Sequence, residues 1–83
     1  MRNPAQIRAA RGLLGWSQNQ LAVSSGAGLS TIRRMEGSAG PLRGTAGNVW
    51  KVQQALEDAG VIFIDSDELG PGVRLRDPND PRI

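Results

Sequence analysis

Ser17-Gln18-Asn19-Gln20-Leu21-Ala22-Val23-Ser24-Ser25-Gly26-Ala27-Gly28-Leu29-Ser30-Thr31-Ile32-Arg33-Arg34-Met35-Glu36-Gly37 reads as two short helices around a tight turn. Ser17 and Gln20 have the spacing of a capping box, in which the hydroxyl accepts from a backbone N–H of the first turn and the glutamine reaches back to the serine N–H. Leu21 and Ala22 begin the inward face of that helix, which runs to about Ser25. Gly26-Ala27-Gly28 then breaks it with two residues free to take left-handed angles. A second helix is predicted from Leu29 to Glu36, with Ile32 and Met35 inward and Leu29, Ser30, Arg33 and Arg34 outward. Two short helices around a glycine-containing turn of three residues make a helix-turn-helix, here over 17–37.

Upstream, Pro4 suits the first turn of a helix, where its missing N–H costs nothing. Ile7, Ala10, Leu13 and Leu14 recur at helical spacing and Gly15 stops them, which predicts a helix over 4–14. Downstream, the run 37–47 holds four glycines and a proline and reads as a loop. Asn48 is then the expected cap of a fourth helix, with an inner stripe of Val49, Val52, Leu56 and Ala59 and an end at Gly60. Val61 to Asp65 and Val73 to Arg76 read as strands around a polar Gly/Pro-containing loop, a hairpin over 61–76. Residues 77–83, with two prolines and three charges, are expected to be a flexible tail. The expected architecture is mainly α: a four-helix domain over 1–76 that closes with a short C-terminal β-hairpin.

The chain has 83 residues, enough for one domain with a modest core. It has neither cysteine nor histidine, which removes disulfides, thiolate zinc sites and the commonest general base. No cofactor or metal is expected, and no enzymatic activity. Asp65, Asp67 and Glu68 are clustered acids, but in a turn without histidine, cysteine or a second cluster they read as a solvated loop. The longest apolar run, Val61 to Ile64, is far too short to span a bilayer. The N-terminus lacks an apolar signal core, so no membrane partner and a cytoplasmic location are expected.

The net charge of +2 is unevenly spread. Residues 1–51 carry seven basic side chains against Glu36 alone, a net +6; residues 52–83 carry three against seven acids, a net −4. That asymmetry suits a first half that meets a polyanion. Nine of the ten basic residues are arginine, whose planar fork matches phosphate and guanine edges.

The spaced run Arg11, Trp16-Ser17-Gln18, Leu21-Ala22, Gly26, Ser30-Thr31-Ile32 and Met35-Glu36 resembles the Xre/Cro family of helix-turn-helix regulators, which have the lambda-repressor-like fold. The match covers 27 residues from Arg11 to Gly37, and about the first 60 once the flanking helices are added. The ending Ala59 to Ile64 followed by Gly70 to Leu75 resembles a compact subgroup that closes with a hairpin in place of a fifth helix. Two positions depart from the pattern. Gly28 stands where a small polar cap is usual, at a cost of a few tenths of a kcal/mol, and Gly37-Ser38 replaces a common Asn-Gly.

The resemblance implies roles for named residues. Gln18 would face a DNA phosphate at the start of its helix, unless it is an ordinary glutamine of the capping box. Leu29, Ser30 and Arg34, with Thr31 beside them, would read base edges in the major groove. Arg33 would meet phosphate or an acidic neighbour. Arg43, in the loop that flanks DNA in the family, would touch the backbone or remain a surface arginine. Arg11 and Glu36 would form an internal ion pair that fixes orientation. Trp16 replaces a core leucine and is expected in the core.

Trp50 lies well off the inner stripe of its helix, and reads as an interface residue or as packing under the hairpin. The strand from Val61 is apolar on both faces, and such strands usually have both covered. Trp50, Ile62 and Ile64 are therefore expected at a homodimer interface. The leading expectation is a dimeric, sequence-specific regulator on an inverted repeat of double-stranded DNA, with activation and repression equally open. The competing one is a protein-interaction module, anti-activator or antitoxin-like, that keeps the fold and binds a protein partner without DNA. Gly28 and Leu29 lean toward the second; Gln18, Ser30, Arg34 and the charge of the first half lean toward the first.

Overall fold

The structure, a computed structural model, describes residues 1–37, 42–65 and 69–76. The expected tail 77–83, the acids Asp67 and Glu68, and the middle of the glycine-rich loop, 38–41, lie outside the described residues. Four helices are followed by a two-stranded antiparallel hairpin: α1 Pro4–Leu14, α2 Gln18–Ser25, α3 Leu29–Gly37, α4 Ala46–Asp58, β1 Val61–Ile64 and β2 Gly72–Leu75.

The helix boundaries follow from local chemistry. Asn3 caps α1, its side chain accepting from Gln6 N at 3.1 Å while Gln6 Oε1 accepts from Asn3 N at 3.2 Å. α2 begins with the expected capping box: Gln20 N donates to Ser17 Oγ at 3.1 Å and Ser17 N donates to Gln20 Oε1 at 2.7 Å. In the connection to α3, Gly26 and Gly28 both take left-handed angles, at φ 74° and 85°. A Cβ at Gly28 would meet no atom within 4 Å, so the backbone angle and not crowding selects glycine there.

Several boundaries differ from the sequence expectation. α4 starts at Ala46 and is capped by Thr45, whose Oγ1 accepts from Asn48 N at 3.1 Å. Asn48 thus serves as the donor inside the first turn, and the loop predicted to reach residue 47 ends two residues sooner. The hydroxyl cap satisfies an orphan N–H, which outweighs the weak helix propensity of Gly47. The second strand is Gly72–Leu75, one residue earlier than Val73 to Arg76, because Gly72 pairs with Ile64 in a register that also joins Phe63 to Val73, Ile62 to Arg74 and Val61 to Leu75. Likewise β1 ends at Ile64 and not at Asp65.

The core takes Ile7 and Ala10 from α1, Leu21 and Ala22 from α2, Ile32 and Met35 from α3, Val52 and Leu56 from α4, and Val61 from β1. Full burial of each large aliphatic side chain stabilises the fold by about 1.5–3 kcal/mol. Trp16, Leu14, Leu29, Val49, Phe63 and Val73 pack against this cluster half-buried, so Trp16 meets the core from its rim. The hairpin is fastened to α1 by Gln6. That side chain is 4% exposed; its Nε2 donates to Ile64 O at 3.3 Å and Gly72 O at 3.1 Å, and its Oε1 also accepts from Arg2 N at 2.6 Å. A buried amide with four partners costs little to bury. No described helix is long and apolar enough to cross a membrane.

Candidate functional site

Glu36 is the polar centre around which α1, α2 and α3 are set. It lies in the last turn of α3 and is 3% exposed. Its Oε2 accepts from Arg11 Nε at 2.7 Å and its Oε1 from Arg11 Nη2 at 2.7 Å, the parallel two-bond fork of guanidinium on carboxylate. Arg11 Nη1 donates to Trp16 O at 2.9 Å, which ties the same arginine to the segment before α2. Gln18 Nε2 adds a bond to Glu36 Oε1 at 3.3 Å, and Arg8 Nη1 donates to the Glu36 carbonyl near the C-terminus of α3. The hydrogen bond to Glu36 raises the pKa of Arg11 above its ordinary value; desolvation opposes this and the carboxylate charge reinforces it. Among the described residues every buried side-chain polar atom has a partner.

This network fixes the pitch of α3 against α1 and α2. The opposite face of α3 is turned to solvent. Ile32, Met35 and Glu36 are buried, while Ser30, Arg33 and Arg34 are exposed and share the outward stripe at helical spacing. Thr31 and Leu29 are half-buried, Leu29 packing against the core at the head of the helix. Arg43 is exposed beyond the glycine-rich loop. Among the described residues, the ion pairs are Arg11 with Glu36 and a loose contact of 3.9 Å between exposed Arg2 and Asp65. Arg33, Arg34 and Arg43 therefore have no carboxylate partner there, and the acidic neighbour considered for Arg33 is not present among those residues.

The expected ion pair is formed as two bonds. The expected base readers divide: Ser30 and Arg34 are freely presented, whereas Leu29 and Thr31 offer only part of their surface. Gln18 is half-buried with one amide donor directed at Glu36, so it belongs to the support of α3 as well as to the exposed start of α2. Sequence reasoning missed Arg8 and Gln6. For Gln6 a local signal existed, since Asn3 and Gln6 have capping-box spacing before an apolar helix; its reach to the hairpin has none.

Of the expected interface residues, Trp50 is 64% exposed on α4, while Ile62 and Ile64 are half-buried on the face of the hairpin turned away from Val61, Phe63 and Val73. No group of three metal-binding side chains occurs among the described residues. Compared with known proteins, the chain matches no family model and no curated protein.

Proposed function

We propose that this protein binds double-stranded DNA sequence-specifically as a transcriptional regulator, with α2, the Gly26-Ala27-Gly28 turn and α3 acting as an Xre/Cro-type helix-turn-helix. The observation that carries the reading is the outward stripe of α3: Ser30, Arg33 and Arg34 are exposed, without carboxylate partners among the described residues, on a helix whose other face is buttressed by Glu36. Charged side chains held that way on a short helix suit the major groove, where the N-terminal part of such a helix meets base edges. Arg34 would fork onto guanine O6 and N7, Ser30 would bond a neighbouring base, and the exposed flank of Leu29 would touch a thymine methyl. Arg33, Arg43 and the second amide N–H of Gln18 would hold phosphates, with the excess positive charge of residues 1–51 supplying attraction at a distance.

The regulator acts as a homodimer on an inverted repeat, with two copies of α3 one DNA turn apart, about 34 Å. Selection of bound duplexes from a random pool tests the reading. The expected product is a palindromic site bound with an affinity that falls as salt rises; no enriched sequence and no binding at low salt would overturn it.

One observation favours the competing protein-binding reading. Val23 is 84% exposed on α2, beside half-buried Trp16 and an open depression of about 420 Å³ with Asn19, Gln20 and Ser24 at its walls. Failure of the DNA selection, together with a partner whose binding is lost in Val23→Asp, would establish that reading.

A further inference from the structure

Arg8 is exposed and lies in the half of the chain with the excess positive charge, so by sequence it reads as a phosphate contact. Its geometry points elsewhere. Arg8 and Arg11 stand three residues apart on α1, so their side chains leave from one face of that helix. Both reach residue 36, through different groups. Arg11 takes the Glu36 carboxylate, and Arg8 Nη1 donates to the Glu36 backbone carbonyl.

That carbonyl belongs to the last turn of α3, whose final four C=O groups have no N–H donor within the helix. α1 and α2 close their own last turns, with the Gly15 N–H on Arg11 O and Gly12 O, and the Gly26 N–H on Ala22 O. α3 takes a donor from another helix, and with it a positive charge at the negative end of its dipole. The two arginines therefore act differently. The Arg11 fork ends on a side chain that has its own rotatable bonds, whereas the Arg8 bond holds the helix backbone itself. Arg33 and Arg34 lie within one turn of that bond.

We propose that Arg8 is a positioning residue for the reading helix: it acts through the Glu36 carbonyl to hold the last turn of α3, and through that turn sets the aim of Arg34, without contacting DNA itself. A two-bond contact to a base edge tolerates displacements of only about 0.5 Å. A last turn released at its end therefore loses base preference before it loses attraction to phosphates. Arg8 thus leaves the set of basic residues that face the polyanion, while Arg33, Arg34 and Arg43, without carboxylate partners among the described residues, stay in it. The effect on base preference rests on the DNA-binding reading; the hold on α3 stands without it.

Arg8→Met keeps the aliphatic stem and removes the donor and its charge. Amide hydrogen exchange, followed by NMR without DNA, reads the hold on α3. Exchange in 34–37 is expected to quicken by about 5- to 30-fold, the effect of one lost charge-assisted bond on local opening, with 18–25 unchanged. Exchange in 34–37 equal to that of the parent would overturn the proposal. Fluorescence anisotropy with the pool-selected duplex and its single-base variants, over a salt series, reads the consequence. The expected result is an unchanged slope of log affinity against log salt, with preference at one base pair reduced roughly 3- to 10-fold, part of what a bidentate pair supplies. A slope shallower by about 0.9, with every duplex weakened alike, is the signature of a lost phosphate contact and would also overturn it. If Arg8→Met does not fold, Arg8→Gln, which shortens the reach and removes the charge, is read by the same outcomes. A parent that binds no duplex refutes the DNA-binding reading, and the exchange measurement then decides the hold on α3 alone.

Discussion

Replacing Arg11 by Met removes the partner of a carboxylate that is 3% exposed. Glu36 would keep the 3.3 Å bond from Gln18 and lose both 2.7 Å bonds of the fork, and Trp16 O would lose its 2.9 Å donor. Stranding a buried charge in this way costs about 3–5 kcal/mol. A chain of 83 residues has a total stability of about 4–12 kcal/mol, so Arg11→Met is expected to remove a quarter or more of it. Each kcal/mol lowers the Tm of a domain this size by roughly 4–8 °C, and the variant should therefore melt more than 10 °C below the parent. Glu36→Gln is milder, about 1.5–3 kcal/mol: Arg11 keeps its charge but has 21% of its side chain exposed to water, and the amide still offers one acceptor. The double variant Arg11→Met/Glu36→Leu removes both charges and fills the space with apolar atoms, so its loss should be smaller than that of Arg11→Met alone. Urea unfolding of the parent, Arg11→Met, Glu36→Leu and the double variant, followed by circular dichroism, gives the cycle. A coupling of about 2 kcal/mol or more is expected from neighbours in one network. Losses that add within about 0.5 kcal/mol, or an Arg11→Met loss below about 1 kcal/mol, would refute the claim that Glu36 organises the three helices.

Three further outcomes follow from the same geometry. Gln6→Leu keeps the volume but strips two hydrogen bonds to the hairpin and two to the backbone of Arg2 and Asn3; it should cost about 1–3 kcal/mol and speed amide exchange in 61–64 and 72–75 selectively, which uniform exchange would contradict. Gly28→Ala should cost about 1–2 kcal/mol from its φ of 85° alone and Gly28→Asn less, as read by Tm; equal losses would mean that crowding and not backbone angle selects glycine. Because the pKa of Arg11 is raised by folding, the stability it contributes is fully present below the ordinary arginine value and is lost only above the raised one. The Tm difference between the parent and Arg11→Met should therefore be the same at about pH 7 and about pH 10, and a difference that shrinks across that window would contradict the assignment.

What the sequence made legible was short-range. Ser17 and Gln20 announce the start of α2 because both halves of a capping box lie within one turn. The buried stripes of Ile7 and Ala10, Ile32 and Met35, and Val52 and Leu56 repeat at helical spacing and were readable for the same reason. Thr45 was hidden by the glycines around it: composition argued for a loop, whereas one hydroxyl cap decides where α4 begins. Gly28 read as a weakened cap and is a backbone requirement, a distinction that depends on φ and leaves no mark in composition. The long reach of Gln6 to residues 58 and 66 positions away had no sequence signal, since any exposed-looking glutamine on a first turn reads alike. For the candidate site, Arg11 with Glu36 is legible through the family resemblance, while Arg8 carries no mark in the sequence beyond its charge, although one of its nitrogens closes the end of α3.

The central claim is that α3 reads DNA through the arginine and serine it turns to solvent. Fluorescence anisotropy of the pool-selected duplex, for the parent and Arg34→Ala at matched salt, tests it most directly, with single-base variants of the duplex included. A lost bidentate contact to guanine should weaken binding by about 1–3 kcal/mol, roughly 5- to 150-fold in Kd, and should abolish preference at one base pair while leaving the others intact. Arg34→Ala that binds every duplex as the parent does, or that weakens all of them equally with preference unchanged, would contradict α3 as the reading helix.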